Sequence, residues 1–257
     1  MNICMLAGNP LSYDGRVLRH AESLAQAGHQ VTLIGVIGPN DEAAPLPPLF
    51  GVRMQRLDRR REGVLPRLTW LLSAGRRRLF AQLVDKLGAL APPLSAEFVV
   101  APCALELSAL AALSGADVYH ANDLDTLVPA AWAARLSGRR YVYDAHELYA
   151  DESPTLRAGE RGARARVEAM LIGSALATLT VSDLLADELV RRYHVARPIV
   201  VRNLPRTVPR APRHMIDRTG RPLRLLLHGA WVGLEQPGVD IALSALAALP
   251  EAVLTLR

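Results

Sequence analysis

The sequence predicts an α/β fold, a doubly wound parallel sheet followed by an incomplete second α/β unit. Three observations carry this. Short β-branched apolar runs alternate with stretches of helical apolar spacing over residues 1–203. The first strand, helix and strand fit within residues 2–36, the span of one right-handed βαβ crossover. A segment rich in proline and arginine, 205–222, then breaks the pattern before it restarts at Leu223.

Residues 2–7 read as a buried strand that ends at Gly8. Val17, Leu18, Ala21, Leu24 and Ala25 follow at helical spacing from a start near Asp14, and Gly28 stops that helix. Gln30 to Val36 is the next strand, rich in β-branched residues, and Val52 to Leu57 the third. The stretch from Val64 to Leu87 is amphipathic, with a shorter helix over Leu105 to Leu113. Strands recur at Val118–His120, Tyr141–Asp144, Thr178–Val181 and Ile199–Val201, separated by helices near 124–136, 160–175 and 183–193. The domain reading is therefore 1–204, a linker over 205–222, and a first βαβ of a second domain over 223–257.

Composition narrows the class. Half of the 257 residues are apolar and 21% are charged, which excludes disorder and a disulfide scaffold. Cys4 and Cys103 have no partner at metal-ligand spacing and read as small buried hydrophobes of a reducing compartment. The net charge of +5 rests on arginine, Lys86 being the single lysine. It permits anionic partners, but the arginines are dispersed without an aromatic platform, which argues against nucleic acid. The N-terminus is a poor signal peptide and no apolar window reaches membrane-spanning length, so a cytoplasmic protein is the default. Arginines cluster over 59–78 with Trp70 and Phe80 among them. Peripheral docking of 59–87 on the inner membrane face is thus a second expectation, set against a core-facing helix with a solvated basic side.

Three loops concentrate the chemistry. Gly8 to Tyr13 joins the first strand to its helix, where free N–H groups favour an anion, although the dinucleotide-binding glycines are absent. Asp14 and Arg16 open that helix, either as cap and ion pair or as ligand contacts. The second loop reads His120-Ala-Asn122-Asp123-Leu-Asp125 and the third Asp144-Ala-His146-Glu147-Leu-Tyr149. Ligands of open parallel sheets bind outside the carboxyl ends of the strands, where all three loops lie. Gly8, Asp123, His146 and Glu147 should therefore share one rim. Asp123 as a plain helix cap and His146 as an ordinary loop residue remain the alternatives.

These residues resemble a known family. Asp14-Gly-Arg-Val-Leu-Arg-His through Gly28-His-Gln-Val-Thr, His120-Ala-Asn-Asp-Leu-Asp, Tyr143-Asp-Ala-His-Glu-Leu-Tyr and Val200-Val-Arg-Asn-Leu-Pro resemble, in that order, family-4 glycosyltransferases of the GT-B fold. Leu227-His-Gly229-Ala and Gly238-Val-Asp resemble the entry to that family's second domain. The resemblance implies Rossmann-like domains, an acceptor held mainly by the first and a nucleotide-diphosphate sugar donor held mainly by the second. It implies His146, Glu147 and Asp123 as catalytic positions, and Gly8, Asp14, Arg16, Asn122, Asp144, Asn203 and Gly229 as substrate-binding ones. It further implies transfer with retention of configuration, no metal and no cofactor, onto a carbohydrate or lipid-linked acceptor.

There are departures. Asn122 stands where some relatives carry histidine, and Pro237 where relatives carry a basic residue. Asp123-Leu-Asp125 resembles the metal-binding acidic motif of another glycosyltransferase fold class, but reads better as cap and first-turn charge. Glu160 and Glu168, with Arg164 midway, read as an ion-pair ladder on a solvated helix. The paired glutamates of the family's donor site have no counterpart here, so this chain alone is expected not to transfer sugar. A non-catalytic sugar- or nucleotide-binding module and a nucleotide-sugar epimerase of the same fold are the competing readings.

Overall fold

The computed structural model describes residues 1–42, 44–60, 93–152, 156–204, 222–227 and 239–256. The amphipathic stretch expected at 64–87, most of the linker, and Gly229 lie outside the described residues. The chain divides into two compact units, Met1–Leu204 and Pro205–Arg257.

In the first unit the elements run β1 (Asn2–Ala7), α1 (Gly15–Gln26), β2 (Gln30–Ile37), β3 (Val52–Asp58), α2 (Pro93–Val100), α3 (Ala104–Ala112), β4 (Val118–Asn122), α4 (Leu124–Ser137), β5 (Arg140–Ala145), α5 (Ala158–Leu171), β6 (Ala177–Thr180), α6 (Asp183–Tyr193) and β7 (Ile199–Val200). The seven strands form one sheet in the order β3-β2-β1-β4-β5-β6-β7, every pair parallel. The order reverses between β1 and β4, and a crevice opens at such a reversal beyond the strands' carboxyl ends. Ala7 is in register with Asn122, and Asn122 with Asp144, so the three chains leave the sheet at one level.

Alternation along β1 builds the two faces. Ile3, Met5 and Ala7 pack with Val17 and Ala21 of α1, whereas Cys4 and Leu6 join Leu107, Tyr119, Leu127 and Tyr143 under the helices of the opposite face. Both cysteines are buried as expected, and burial pushes their thiols up, Cys4 to about 12 and Cys103 to about 11. Asp14 caps α1 by accepting from the Val17 amide at 3.0 Å. Sequence spacing missed α2, whose first residue is proline, a residue suited to a first helical position.

Glu168 requires a correction. It is 1% exposed and accepts hydrogen bonds from Tyr143 (2.7 Å) and Tyr193 (2.8 Å), so it belongs to the core rather than to a surface ladder. Gly159, Ala163 and Val167 set the buried stripe of α5, and Glu168 follows directly on it. Arg164 turns instead to Glu152 and the Tyr149 carbonyl, and Glu160 caps the helix start at Arg157.

In the second unit β8 (Leu223–Leu227) and β9 (Ala252–Leu256) pair in parallel, with α7 (Val239–Leu246) between them in sequence. Leu226 and Ile241 are exposed by 63% and 69%, so this unit lacks a closed apolar core among the described residues. No helix among the described residues is long and apolar enough to cross a membrane.

Candidate functional site

The rim of the sheet beyond the ends of β4 and β5 carries a pocket of about 420 Å³. Asp123, Asp125, His146, Glu147, Tyr149 and Arg164 are among the side chains that line it. Asp123 stands between β4 and α4 with φ 71° and ψ 165°, a conformation in which glycine is at home and aspartate is strained. Its side chain does not cap α4. It is instead met by His146 Nδ1 at 2.6 Å and by the Tyr149 hydroxyl, which donates to Oδ1. The plain-cap alternative for Asp123 therefore does not hold. A strained backbone held by two side chains that aim its carboxylate into a pocket marks a functional position.

His146 bridges two carboxylates, with Nε2 lying 3.1 Å from Asp144 Oδ2. Burial alone would lower its pKa, but contact with Asp123 and Asp144 outweighs burial and raises it from 6.5 to about 9. The ring is thus an imidazolium at neutral pH, and both nitrogens face anions. Asp144 is fully buried, which opposes its charge, yet His146, His20 and Arg16 together hold it well below the usual carboxylate range. Arg16 reaches it with Nη2 at 2.7 and 3.0 Å and Nε at 3.2 Å, and donates from Nη1 to the Val201 carbonyl at 2.7 Å. This corrects one sequence reading. Arg16 pairs with Asp144 rather than with Asp14, and its charge is turned inward.

Gly8 faces Asp125 across the reversal. A Cβ at Gly8 would lie 1.7 Å from Asp125 Oδ2, so only glycine admits that carboxylate. Burial, and then the charge of Asp123, raise the Asp125 carboxyl to about 7. Asn122 is fully buried and donates to the Leu6 carbonyl at 2.9 Å, which gives it the place of a strut between β4 and β1. Asp14 caps α1 and accepts from Asn9 Nδ2 at 2.7 Å, bordering a separate groove with Tyr13 and Asp41. Asn203 accepts from Arg19 at 2.5 Å in a third cavity that also includes Arg16.

The sequence-selected residues thus fall on two sides of one buried carboxylate. Asp123, His146 and Glu147 face the pocket, Gly8 backs it through Asp125, Arg16 and Asn203 line the other cavity, and Asp144 is the wall between. Tyr149 and Asp125 were missed as site residues. A buried tyrosine needs a partner for its hydroxyl, and Tyr149, three residues after His146, finds it in Asp123.

His20, His120 and Asp144 bring potential ligand atoms within 4.8 Å of one another. Burial keeps His120 neutral, its pKa lowered to about 3, and its ring meets that of His20 edge-on at 5.0 Å. Arg16 already covers both oxygens of Asp144, so a guanidinium stands where a cation's charge would be needed.

This parallel sheet, with strand-end loops converging on a polar pocket, has a Rossmann-like α/β architecture. The chain belongs to Glycosyltransferase Family 4, whose sequence profile matches residues 16–203. Its whole length superposes on solved GT-B structures. Sucrose-phosphate synthase from Thermosynechococcus elongatus is 16% identical with a TM-score of 0.54, and 62% of that chain is covered. HepE from Anabaena, solved with UDP and glucose, is 15% identical with a TM-score of 0.59 and 60% covered. The lipopolysaccharide outer core galactosyltransferase WaaB is 12% identical, with a TM-score of 0.53 and 60% covered. The chain therefore spans about three fifths of the length of these structures. Among curated proteins none matches it in sequence.

Proposed function

We propose that this protein serves the transfer of a glycosyl group from a nucleotide-diphosphate sugar to a hydroxyl of a carbohydrate or lipid-linked acceptor. The observation that carries the reading is Asp123, strained into a glycine-like backbone and clamped by His146 and Tyr149 so that its carboxylate meets the pocket. Family membership and the likeness to HepE, a protein solved with UDP and glucose, support it.

In this reading the pocket holds the acceptor. Asp123 and Glu147 accept hydrogen bonds from its hydroxyls and orient the attacking oxygen. His146, held as an imidazolium, keeps the Asp123 side chain aimed, and has no free lone pair with which to take a proton. The acceptor oxygen then attacks the donor's anomeric carbon from the face that the phosphate leaves. The carbon–phosphate oxygen bond breaks, and the acceptor's proton passes to the departing phosphate oxygen, so configuration is retained. No metal or cofactor enters this scheme.

The test is acceptor-dependent release of nucleoside diphosphate. Because the chain alone is not expected to transfer sugar, it is fused to the donor-side domain of a family-4 enzyme and incubated with UDP-, GDP- and TDP-sugars and a panel of glycosides, and the fusion is compared with its Asp123→Asn and Glu147→Gln variants. Release that requires a glycoside and falls at least about a hundredfold in Asp123→Asn supports the reading. Donor isomerisation without an acceptor would favour the epimerase, and binding without turnover a sugar-binding module.

A further inference from the structure

The cavity on the far side of Asp144 has a different character from the pocket. It encloses about 210 Å³ between α1 and the residues that follow β7, and Arg16, Arg19, His20, Ser23, Arg202 and Asn203 supply its polar lining. None of these is a carboxylate. Three arginines and a histidine face one small volume, and the charges are unequally compensated.

Arg16 is satisfied from behind by Asp144. Arg19 is not matched in this way. Among the described residues its side chain meets the neutral oxygen of Asn203, and its guanidinium lies across the first turn of α1, where a Cβ on Gly15 would come within 2.8 Å of Nη1. The first turn of α1 contains no acidic residue. The carboxylate at that helix end is the cap Asp14, which is taken up by the Val17 amide and Asn9 Nδ2. On the other wall Arg202 lies 3.3 Å from Asp183, in an exposed cluster where Arg197 meets Asp183 at 3.1 Å and has Asp187 as a second partner. The cavity itself is lined by three guanidinium groups and no carboxylate, and its donors are guanidinium forks suited to tetrahedral oxyanions.

We propose that this cavity binds a phosphate-class oxyanion, held by Arg19 and Arg202 with Ser23 and His20 as further polar contacts. The site stands on its own geometry, apart from the acceptor pocket. The anion could be supplied free or as part of a nucleoside diphosphate, and the two sources share the chemistry that the cavity reads.

The experiment titrates the ¹⁵N-labelled chain with sodium phosphate, sodium pyrophosphate and UDP, ionic strength being held constant with sodium chloride. The expected result is saturable shifts confined to residues 16–23 and 201–204. Arg19→Gln and Arg202→Gln should each weaken binding about tenfold. Arg19→Lys should recover part of the loss, and Arg161→Gln, outside the cavity, should change nothing. Pyrophosphate and UDP binding tighter than phosphate would assign a diphosphate source, and equal binding a single phosphate group. Shifts that do not saturate, or that survive both glutamine variants with the fold intact by circular dichroism, would overturn the proposal. Because the readout is anion binding, failure here leaves the glycosyl-transfer reading standing, and absence of acceptor-dependent transfer leaves this one standing.

Discussion

Arg16 and Asp144 stand 128 residues apart in sequence and meet as a buried pair, with Nη2 at 2.7 Å from Oδ1 and 3.0 Å from Oδ2. The pair ties the start of α1 to the end of β5, and through the Val201 carbonyl to the exit of β7. Removing one partner leaves the other charge buried. His146 and His20 still face Asp144 in Arg16→Ala, so the variant should cost about 1–3 kcal/mol in urea unfolding, and Asp144→Leu, which strips both Arg16 and His146 of that anion, should cost more. A single variant as stable as the native chain would mean that the pair contributes little.

Stability should fall as pH rises from neutrality. Folding raises the pKa of His146 from 6.5 to about 9, so the folded state holds the proton more tightly. That stabilisation is fully present below about pH 6.5, and it is lost as pH rises through about 9, roughly 3 kcal/mol in all. Asp125, raised from 3.8 to about 7, acts in the same direction between those values, since its ionisation is easier in the unfolded chain. Denaturation midpoints from pH 6 to 10 should decline in the native chain and decline less in His146→Gln. Equal slopes in the two proteins would remove His146 from the explanation.

Gly8→Ala tests the contact across the sheet reversal. The new methyl group would displace Asp125, whose Oδ2 would lie 1.7 Å from it. The expected cost is about 1–3 kcal/mol of stability together with a disturbed pocket. Gly8→Ala combined with Asp125→Ala should regain the stability, and thermal melts of the two variants would show whether it does.

Glu168→Ala should destabilise by about 2–4 kcal/mol, because the hydroxyls of Tyr143 and Tyr193 would both lose their acceptor inside the core. Glu168→Gln keeps an acceptor oxygen and should cost less. A surface ladder would give near-zero effects for both, which guanidinium unfolding resolves easily.

The sequence made the alternation of strands and helices readable, since period-two and helical spacings are local signals. It also exposed the rim, because polar residues such as Asp123, Asp144 and His146 stand directly after apolar strands. Which partner each residue takes was hidden. Arg16 has Asp14 two residues away, yet the fold delivers Asp144 from a distant strand, and Asn9 and the Val17 amide occupy Asp14 instead. Glu168 was misread for the same reason, since its neighbours Tyr143 and Tyr193 come from β5 and the end of α6. The strain at Asp123 had no local signature either, because it follows from how α4 leaves β4.

Asp123 is the group proposed to meet the acceptor. Saturation-transfer NMR with a panel of neutral glycosides on the native chain and on Asp123→Asn tests this directly. The native chain should bind glycosides saturably, with shifts at Asp123, Asp125, Glu147 and Tyr149, and Asp123→Asn should bind them at least about tenfold more weakly. Unchanged binding in the variant, or shifts that map away from these four residues, would contradict that role for Asp123.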